Sequence, residues 1–140
     1  MKYDSLKLEN QLCFPLYSAS REVVKKYHPY LSEIGLTYTQ YITMMVLWEE
    51  KEITVKELGE KLFLDSGTMT PVLKSLEKKA LVVRKRNERD ERSVIINITK
   101  VGEQLKEKAK DIPFKLAGCV GLNGEEALQL YKLLYKILGK

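Results

Sequence analysis

This 140-residue chain is poor in histidine, cysteine and long apolar runs. One histidine, His28, and two cysteines without CxxC spacing leave too few ligands for a zinc site, so no metal and no cofactor is expected. No apolar stretch approaches the ~18 residues that suggest a membrane span. The opening MKYDSLKLENQ has no signal-peptide apolar segment, so a cytoplasmic protein without membrane contact is expected. Four prolines and eight glycines form no Gly/Ser linker, and no repeat or low-complexity tract divides the chain, which suits a single domain over 1–140. His28 stands in KKYHPY before a proline and is expected as a surface residue at a helix end.

What is present in quantity is positive charge in one place. The formal charge is +5, and the sequence pI of about 9.1 favours an anionic partner. Lys and Arg crowd residues 74 to 92, whereas Asp and Glu are spread through the rest. Just ahead of that cluster, Met69, Leu73, Leu76 and Ala80 recur at helical spacing and leave Thr68, Thr70, Lys74 and Lys78 on other faces. Val82, Arg84 and Arg86 then alternate with Val83 and Lys85, and Val94, Ile96 and Ile98 repeat the two-residue period, predicting two strands. Their connection, NERDER at 87 to 92, is too charged for a core and carries Arg89 and Arg92 on a hairpin tip.

Upstream, Thr54 and Glu57 have capping-box form and predict a helix from about Val55, with Val55, Leu58 and Leu62 as its buried stripe. Gly59 permits a neighbouring helix to approach. Residues 54 to 79 thus read as a helix-turn-helix, and the strands behind it as a wing. The second helix starts either at Pro71 with Thr70 as its cap, or earlier, at Ser66, with Pro71 bending it. The fold class expected is mainly α with a small β-hairpin wing: a winged helix-turn-helix core at about 36–99, with dimerisation helices at about 5–30 and 100–140.

At the chain ends, most of 5 to 27 reads as helix, with Leu16, Ala19, Val23 and Val24 on one side. Another helix is expected over Thr39 to Trp48. Val101, Leu105, Ala109 and Ile112 predict one that ends near Pro113. Asn123 with Glu126 resembles a cap, and Leu130, Leu133, Leu134, Ile137 and Leu138 make a stripe too apolar for a solvent-facing tail. A second copy of the chain is the economical partner for such helices, so a two-fold dimer on a pseudo-palindromic double-stranded DNA operator is expected.

Four segments in order, QLCFPLY (11–17), GLTYTQY (35–41), LFLDSGTMTPVLKSLEKK (62–79) and RKRNERDERSV (84–94), resemble the MarR family of transcriptional regulators and its organic hydroperoxide resistance (OhrR) branch. The resemblance covers nearly the whole chain. It implies that Ser66, Thr68, Thr70, Pro71 and Lys74 lie on the recognition helix and that Asp90 and Arg92 match the wing motif, with Arg92 entering the minor groove; Arg84 and Arg86 of the first predicted strand are expected to bind DNA beside them. A guanidinium on a hairpin tip suits that narrow, electronegative groove. The plain alternative is a solvated turn with an ion pair to Asp90.

The same resemblance makes Cys13 the peroxide-sensing residue, with an organic hydroperoxide as the signal. Pro15 is favoured in a helix first turn, which puts Cys13 near a helix N-terminus, where the dipole favours negative charge. Pro15 also departs from the family's usual aliphatic residue there. Tyr27 and Tyr38 match two tyrosines that the family contributes from the partner subunit to the sensing thiolate, and Tyr17, one turn from Cys13, is a further candidate. Along one straight helix Cys13 and Tyr27 stand ~21 Å apart, so their contact needs a fold-back or a second subunit. Cys119 lies where two-cysteine members carry a resolving thiol; it is either that or a bystander whose place a small thiol takes.

The expected function is therefore a redox-sensing DNA-binding repressor, not an enzyme, released from its operator when Cys13 is oxidised. The alternatives are a MarR-type regulator answering a small phenolic ligand, a global regulator like staphylococcal SarZ and MgrA, and, from another class, a thiol peroxidase. The last has no thioredoxin-like pattern in its favour.

Overall fold

The computed structural model describes residues 1–140, leaving out the side chain of Glu91. It divides into two compact units, residues 27–110 and residues 1–26 with 111–140.

The first unit holds the end of helix α1 (Cys13–Glu33), then α2 (Tyr38–Glu50), β1 (Glu52–Thr54), α3 (Val55–Leu62), α4 (Ser66–Lys78), β2 (Val82–Asn87), β3 (Asp90–Ile98) and α5 (Lys100–Ala109). Each helix start has a local cause. Thr37 caps α2 and Gln40 reaches back to complete the box, a signal the sequence reading passed over. The Thr54 hydroxyl accepts from Glu57 N at 3.1 Å as expected, but the reciprocal Glu57 bond that would complete the capping box is not formed. Asp65 resolves the open boundary of α4: its carboxylate accepts from Thr68 N at 2.7 Å, so the helix begins at Ser66 and Pro71 lies inside it. Having no N–H, Pro71 cannot donate to Gly67 O one turn back. The Thr70 hydroxyl donates to Ser66 O at 2.8 Å, as a residue inside a helix does, and caps nothing.

Met69, Leu73 and Leu76 of α4 are buried as their spacing requires, together with Met44 and Leu47 of α2 and Leu58 of α3. Ala80 is not part of that stripe. The helix has ended, Ala80 takes φ +63° and is exposed, and the turn it makes brings Leu81 into the core instead. On α3, Leu58 and Gly59 are buried, while Val55 and Leu62 are half-buried. Gly59 serves a close approach, but to the loop rather than a helix: a Cβ there would lie 2.7 Å from Leu64 O.

The sheet has three antiparallel strands in the order β1-β3-β2. Val82 pairs with Ile98 and Arg86 with Val94, and the register slips after Arg86 toward the tip. The short β1, too brief to show a period in sequence, pairs Ile53 with Ile96. Alternation along β2 and β3 buries Val82 and Ile96. Helix α5 is tied to α2 by Trp48, whose indole Nε1 donates to Gly102 O at 2.9 Å. Gly102 is required there, because a Cβ would meet Leu81 O and stand 2.8 Å from Ile98 Cγ1.

In the second unit, residues before Cys13 form two 3₁₀ turns, Asp4–Leu6 and Leu8–Asn10, instead of helix. Asn10 Nδ2 donates to Asp4 O at 2.7 Å, and Gln11 Nε2 to Ser5 O and Lys7 O, each at 2.7 Å. Side-chain amides thus take up carbonyls that a continuing α-helix would have used. Helix α1 begins at Cys13 with Pro15 in its first turn. It continues past His28 and through Pro29, so His28 is an exposed mid-helix residue with Nε2 3.3 Å from Ser32 Oγ, not a helix end. The expected helix ending near Pro113 is two helices: α5 stops at Ala109, and α6 (Ile112–Ala117) starts with Pro113 in its first turn. Helix α7 (Gly124–Ile137) carries the full Asn123–Glu126 capping box, with bonds of 2.9 and 3.0 Å. Among the described residues, no helix is long and apolar enough to cross a membrane.

Candidate DNA-reading and redox-sensing sites

The reading surface is built on α4 and the wing. Ser66, Thr68, Thr70, Pro71 and Lys74 are all exposed on α4, opposite the buried stripe. Ser66, Thr70 and Lys74 follow one another at four-residue steps and so share a face. Lys74 makes no ion pair with a described residue, which leaves its ammonium available to a phosphate.

The wing arginines differ from one another in a way their sequence does not reveal. Arg84 Nε donates to Glu77 Oε2 at 2.8 Å, so its guanidinium is held against α4. Arg86 and Arg92 are exposed, and neither pairs with a described acidic side chain. Asp90 does not neutralise the tip arginines. Its Oδ1 accepts from Arg92 N at 3.0 Å, and Asn87 Oδ1 does the same for Arg89 N at 3.1 Å. Both are side-chain turns that shape the tip and point charge outward.

The two cysteines are free and exposed. Cys13 is the first residue of α1, where backbone N–H groups have no helical acceptor and an anion is favoured. Beside it, Lys7, Leu8, Glu9, Gln11, Phe14 and Pro15 line an open, mostly apolar recess. Cys119 follows α6, and its thiol donates to Lys115 O at 3.3 Å. Tyr17 is exposed and engaged with Arg21, which donates to the phenol oxygen at 3.4 Å and stacks 5.5 Å from the ring centroid.

Tyr27 and Tyr38 are brought together, ring centroids 5.0 Å apart and edge-on. The sequence reading missed the third member, Tyr41, 5.8 Å from Tyr27 and 6.3 Å from Tyr38, and itself against Trp48 at 6.5 Å. Its spacing of one helical turn from Tyr38 was the available signal. Burial pushes the Tyr38 phenol above its usual range, and the neighbouring Tyr27 adds to that; Tyr41 is raised for the same reasons. Both phenols therefore stay protonated and able to donate.

A reading helix with a free polar face, a wing with outward arginines, and an exposed cysteine opening a helix define a winged helix-turn-helix regulator. Comparison with known proteins carries this further. Residues 25–112 match the family described as transcriptional regulator SarA/Rot. The organic hydroperoxide resistance transcriptional regulator of Bacillus subtilis is 52% identical over 137 residues, 98% of this chain and 93% of that protein. SarZ of Staphylococcus aureus is 41% identical over 140 residues, 100% of this chain and 95% of its own length.

Among solved structures, AbfR of Staphylococcus epidermidis, reduced and bound to DNA, superposes with TM-score 0.80 at 36% identity over 99% of this chain and 97% of its own. Overoxidised AbfR on DNA gives TM-score 0.80 at 35% identity, over 99% and 98% of the two chains. Its disulfide form gives 0.67 at 33%, over 100% and 98%. This chain belongs to the MarR-type winged-helix transcriptional regulators, in the organic hydroperoxide resistance branch.

Proposed function

We propose that the chain is a homodimeric, redox-controlled repressor that holds a pseudo-palindromic operator while Cys13 is reduced and leaves it when an organic hydroperoxide oxidises that sulfur. The observation that carries this is an exposed cysteine at the first position of α1 in a chain 52% identical to an organic hydroperoxide resistance regulator.

The Cys13 thiolate attacks the distal peroxide oxygen: an S–O bond forms, the O–O bond breaks, and the alkoxide leaves and takes a proton to become the alcohol. The product is a sulfenic acid. Tyr27 and Tyr38 of the second subunit donate to the thiolate before this step and lose that partner afterwards. The exposed Cys119 then attacks the sulfenic sulfur as thiolate, forming an S–S bond and expelling hydroxide, which is protonated to water. AbfR is known overoxidised on DNA as well as reduced on DNA. For this chain, the disulfide is the step we assign to release.

Residues 36–99 are the reading core, and 5–30 with 100–140 form the dimer. The exposed apolar residues of α7, Leu130, Tyr131, Leu133 and Ile137, with Leu138 just past its end, suit burial against a second copy. Two-fold symmetry sets the reading helices about one helical turn, ~34 Å, apart. Ser66, Thr68, Thr70, Pro71 and Lys74 then meet the major groove and its phosphates, and Arg86 and Arg92 the backbone and minor groove. Peroxide consumption is stoichiometric rather than catalytic, and the protein works in the cytoplasm, where the DNA is.

The test is intact mass and a non-reducing gel before and after one equivalent of an organic hydroperoxide. A dimer linked through Cys13 and Cys119, absent in Cys13→Ser, is expected. Release of Cys13→Ser from DNA by peroxide would overturn the assignment.

A further inference from the structure

Among the described residues of the 27–110 unit, two side chains are both polar and buried, Gln40 and Thr43. Thr43 bonds only its own helix, through Thr39 O at 2.7 Å. Gln40 is different, because it joins elements far apart in sequence. Its Oε1 accepts from Thr37 N at 3.1 Å and from Lys79 Nζ at 2.8 Å, and its Nε2 donates to Ser75 Oγ at 2.9 Å. The Lys79 ammonium also donates to Gly35 O at 2.5 Å. One amide, only 7% exposed, thus connects the α1–α2 turn and the first turn of α2 to the last turn of the reading helix α4. That same first turn of α2 carries Tyr38 and Tyr41.

Apolar packing between buried side chains of α2 and α4 is not directional and permits small slides and rotations. Hydrogen bonds to a buried amide do not, because a shift of an ångström leaves its donors and acceptors unpaired out of reach of water. The network therefore fixes the register of α4 on the element that bears the tyrosines.

We propose that Gln40 is a positioning residue that couples the tyrosine end of the molecule to the pose of the reading helix, so that displacement of the first turn of α2 on oxidation is transmitted to α4. This rests on the redox reading given above. Removing the amide cuts the Ser75 bond and one of the two Lys79 bonds, leaving the register of α4 on α2 to apolar packing and the single Lys79 bond to Gly35 O. The reduced protein still reads DNA, but movement at the tyrosines no longer reaches α4.

The experiment measures affinity before and after one equivalent of cumene hydroperoxide, on a duplex selected from a random pool by the reduced wild-type protein. The quantity read is the ratio of oxidised to reduced Kd. For Gln40→Leu the reduced Kd is expected within about threefold of wild type, while the ratio falls about tenfold, the scale of one buried hydrogen-bonding group. Ser75→Ala, which removes one bond and leaves Gln40 in place, is expected to lower the ratio by a smaller factor. Gln40→Glu is expected to restore it, since a carboxylate accepts from Thr37 N, Lys79 and the Ser75 hydroxyl in the same shape. A merely structural role would weaken both states alike and leave the ratio unmoved.

Wild-type ratios in Gln40→Leu and Ser75→Ala, or no rescue by Gln40→Glu, would overturn the coupling while the redox reading stands. Should Gln40→Leu not fold, Ser75→Ala decides. A wild-type protein that stays on DNA after oxidation overturns the redox reading, and the coupling with it.

Discussion

Replacing Lys74 by Ala tests the reading surface through its salt dependence, and the structure sets the size of the effect. Lys74 is exposed on α4 and forms no ion pair with a described residue, so its charge has no protein partner to leave when it meets a phosphate. Each phosphate contact contributes a slope of about −0.9 to log K against log salt on duplex DNA. A two-fold dimer carries the substitution twice, so Lys74→Ala is expected to flatten the slope by ~1.8. Between about 50 and 200 mM salt that amounts to a ~12-fold smaller loss of affinity than wild type shows. Arg84 supplies the contrast. Its guanidinium sits 2.8 Å from Glu77, with both side chains more than a third exposed, and binding DNA requires giving up that partner. Arg84→Ala is therefore expected to flatten the slope by less than half as much. Fluorescence anisotropy across a salt series on the selected duplex measures both. Equal slopes for the two variants, or an unchanged slope for Lys74→Ala, would refute the assignment of Lys74 as a free phosphate contact and of Arg84 as a restrained one.

Gly102→Ala forces a Cβ onto Leu81 O and Ile98 and disturbs the Trp48 bond to Gly102 O. Overpacking of ~1–3 kcal/mol with about 1 kcal/mol for the bond predicts a Tm lower by roughly 5–10 °C at fixed protein concentration, and an unshifted melting curve would contradict it. The raised Tyr38 and Tyr41 phenols have a sign that can be checked. Their protons are held more tightly in the fold than in the unfolded chain, so their contribution is complete below pH ~10 and is lost as pH rises beyond it. Ultraviolet titration should show these phenols ionising last, with denaturant stability falling over the same range; early ionisation of both would sink the burial argument.

Much of the reading core was legible because its signals are local. The Thr54 hydroxyl, the apolar steps at Met69, Leu73 and Leu76, and the alternation through Val82 to Ile98 each act within a few residues, and the structure keeps them. Errors fell where a local rule had a rival. Pro29 was expected to end a helix that runs on to Glu33; at α4, where both starts were open, the Asp65 cap decided for Ser66 over the Thr70–Pro71 signal. Ala80 continued the helical spacing yet sits in a left-handed turn. At the candidate sensor, Cys13, Tyr27 and Tyr38 were named from motif resemblance, whereas Tyr41 and Gln40 stood in the same GLTYTQY segment unremarked.

By itself the sequence determined the run from α3 through α4 to β2 and β3, the basic character of that helix and wing, and a cysteine near a helix start, because periodicity, capping and charge are written in neighbouring residues. Only the tertiary structure decided which charges are free and which elements are tied together. Arg84 is neutralised by a glutamate seven positions away, and Gln40 is bound to Ser75 and Lys79 from thirty-five and thirty-nine positions away. Such pairings depend on how helices pack, and packing is set by the whole core rather than by any local stretch of chain.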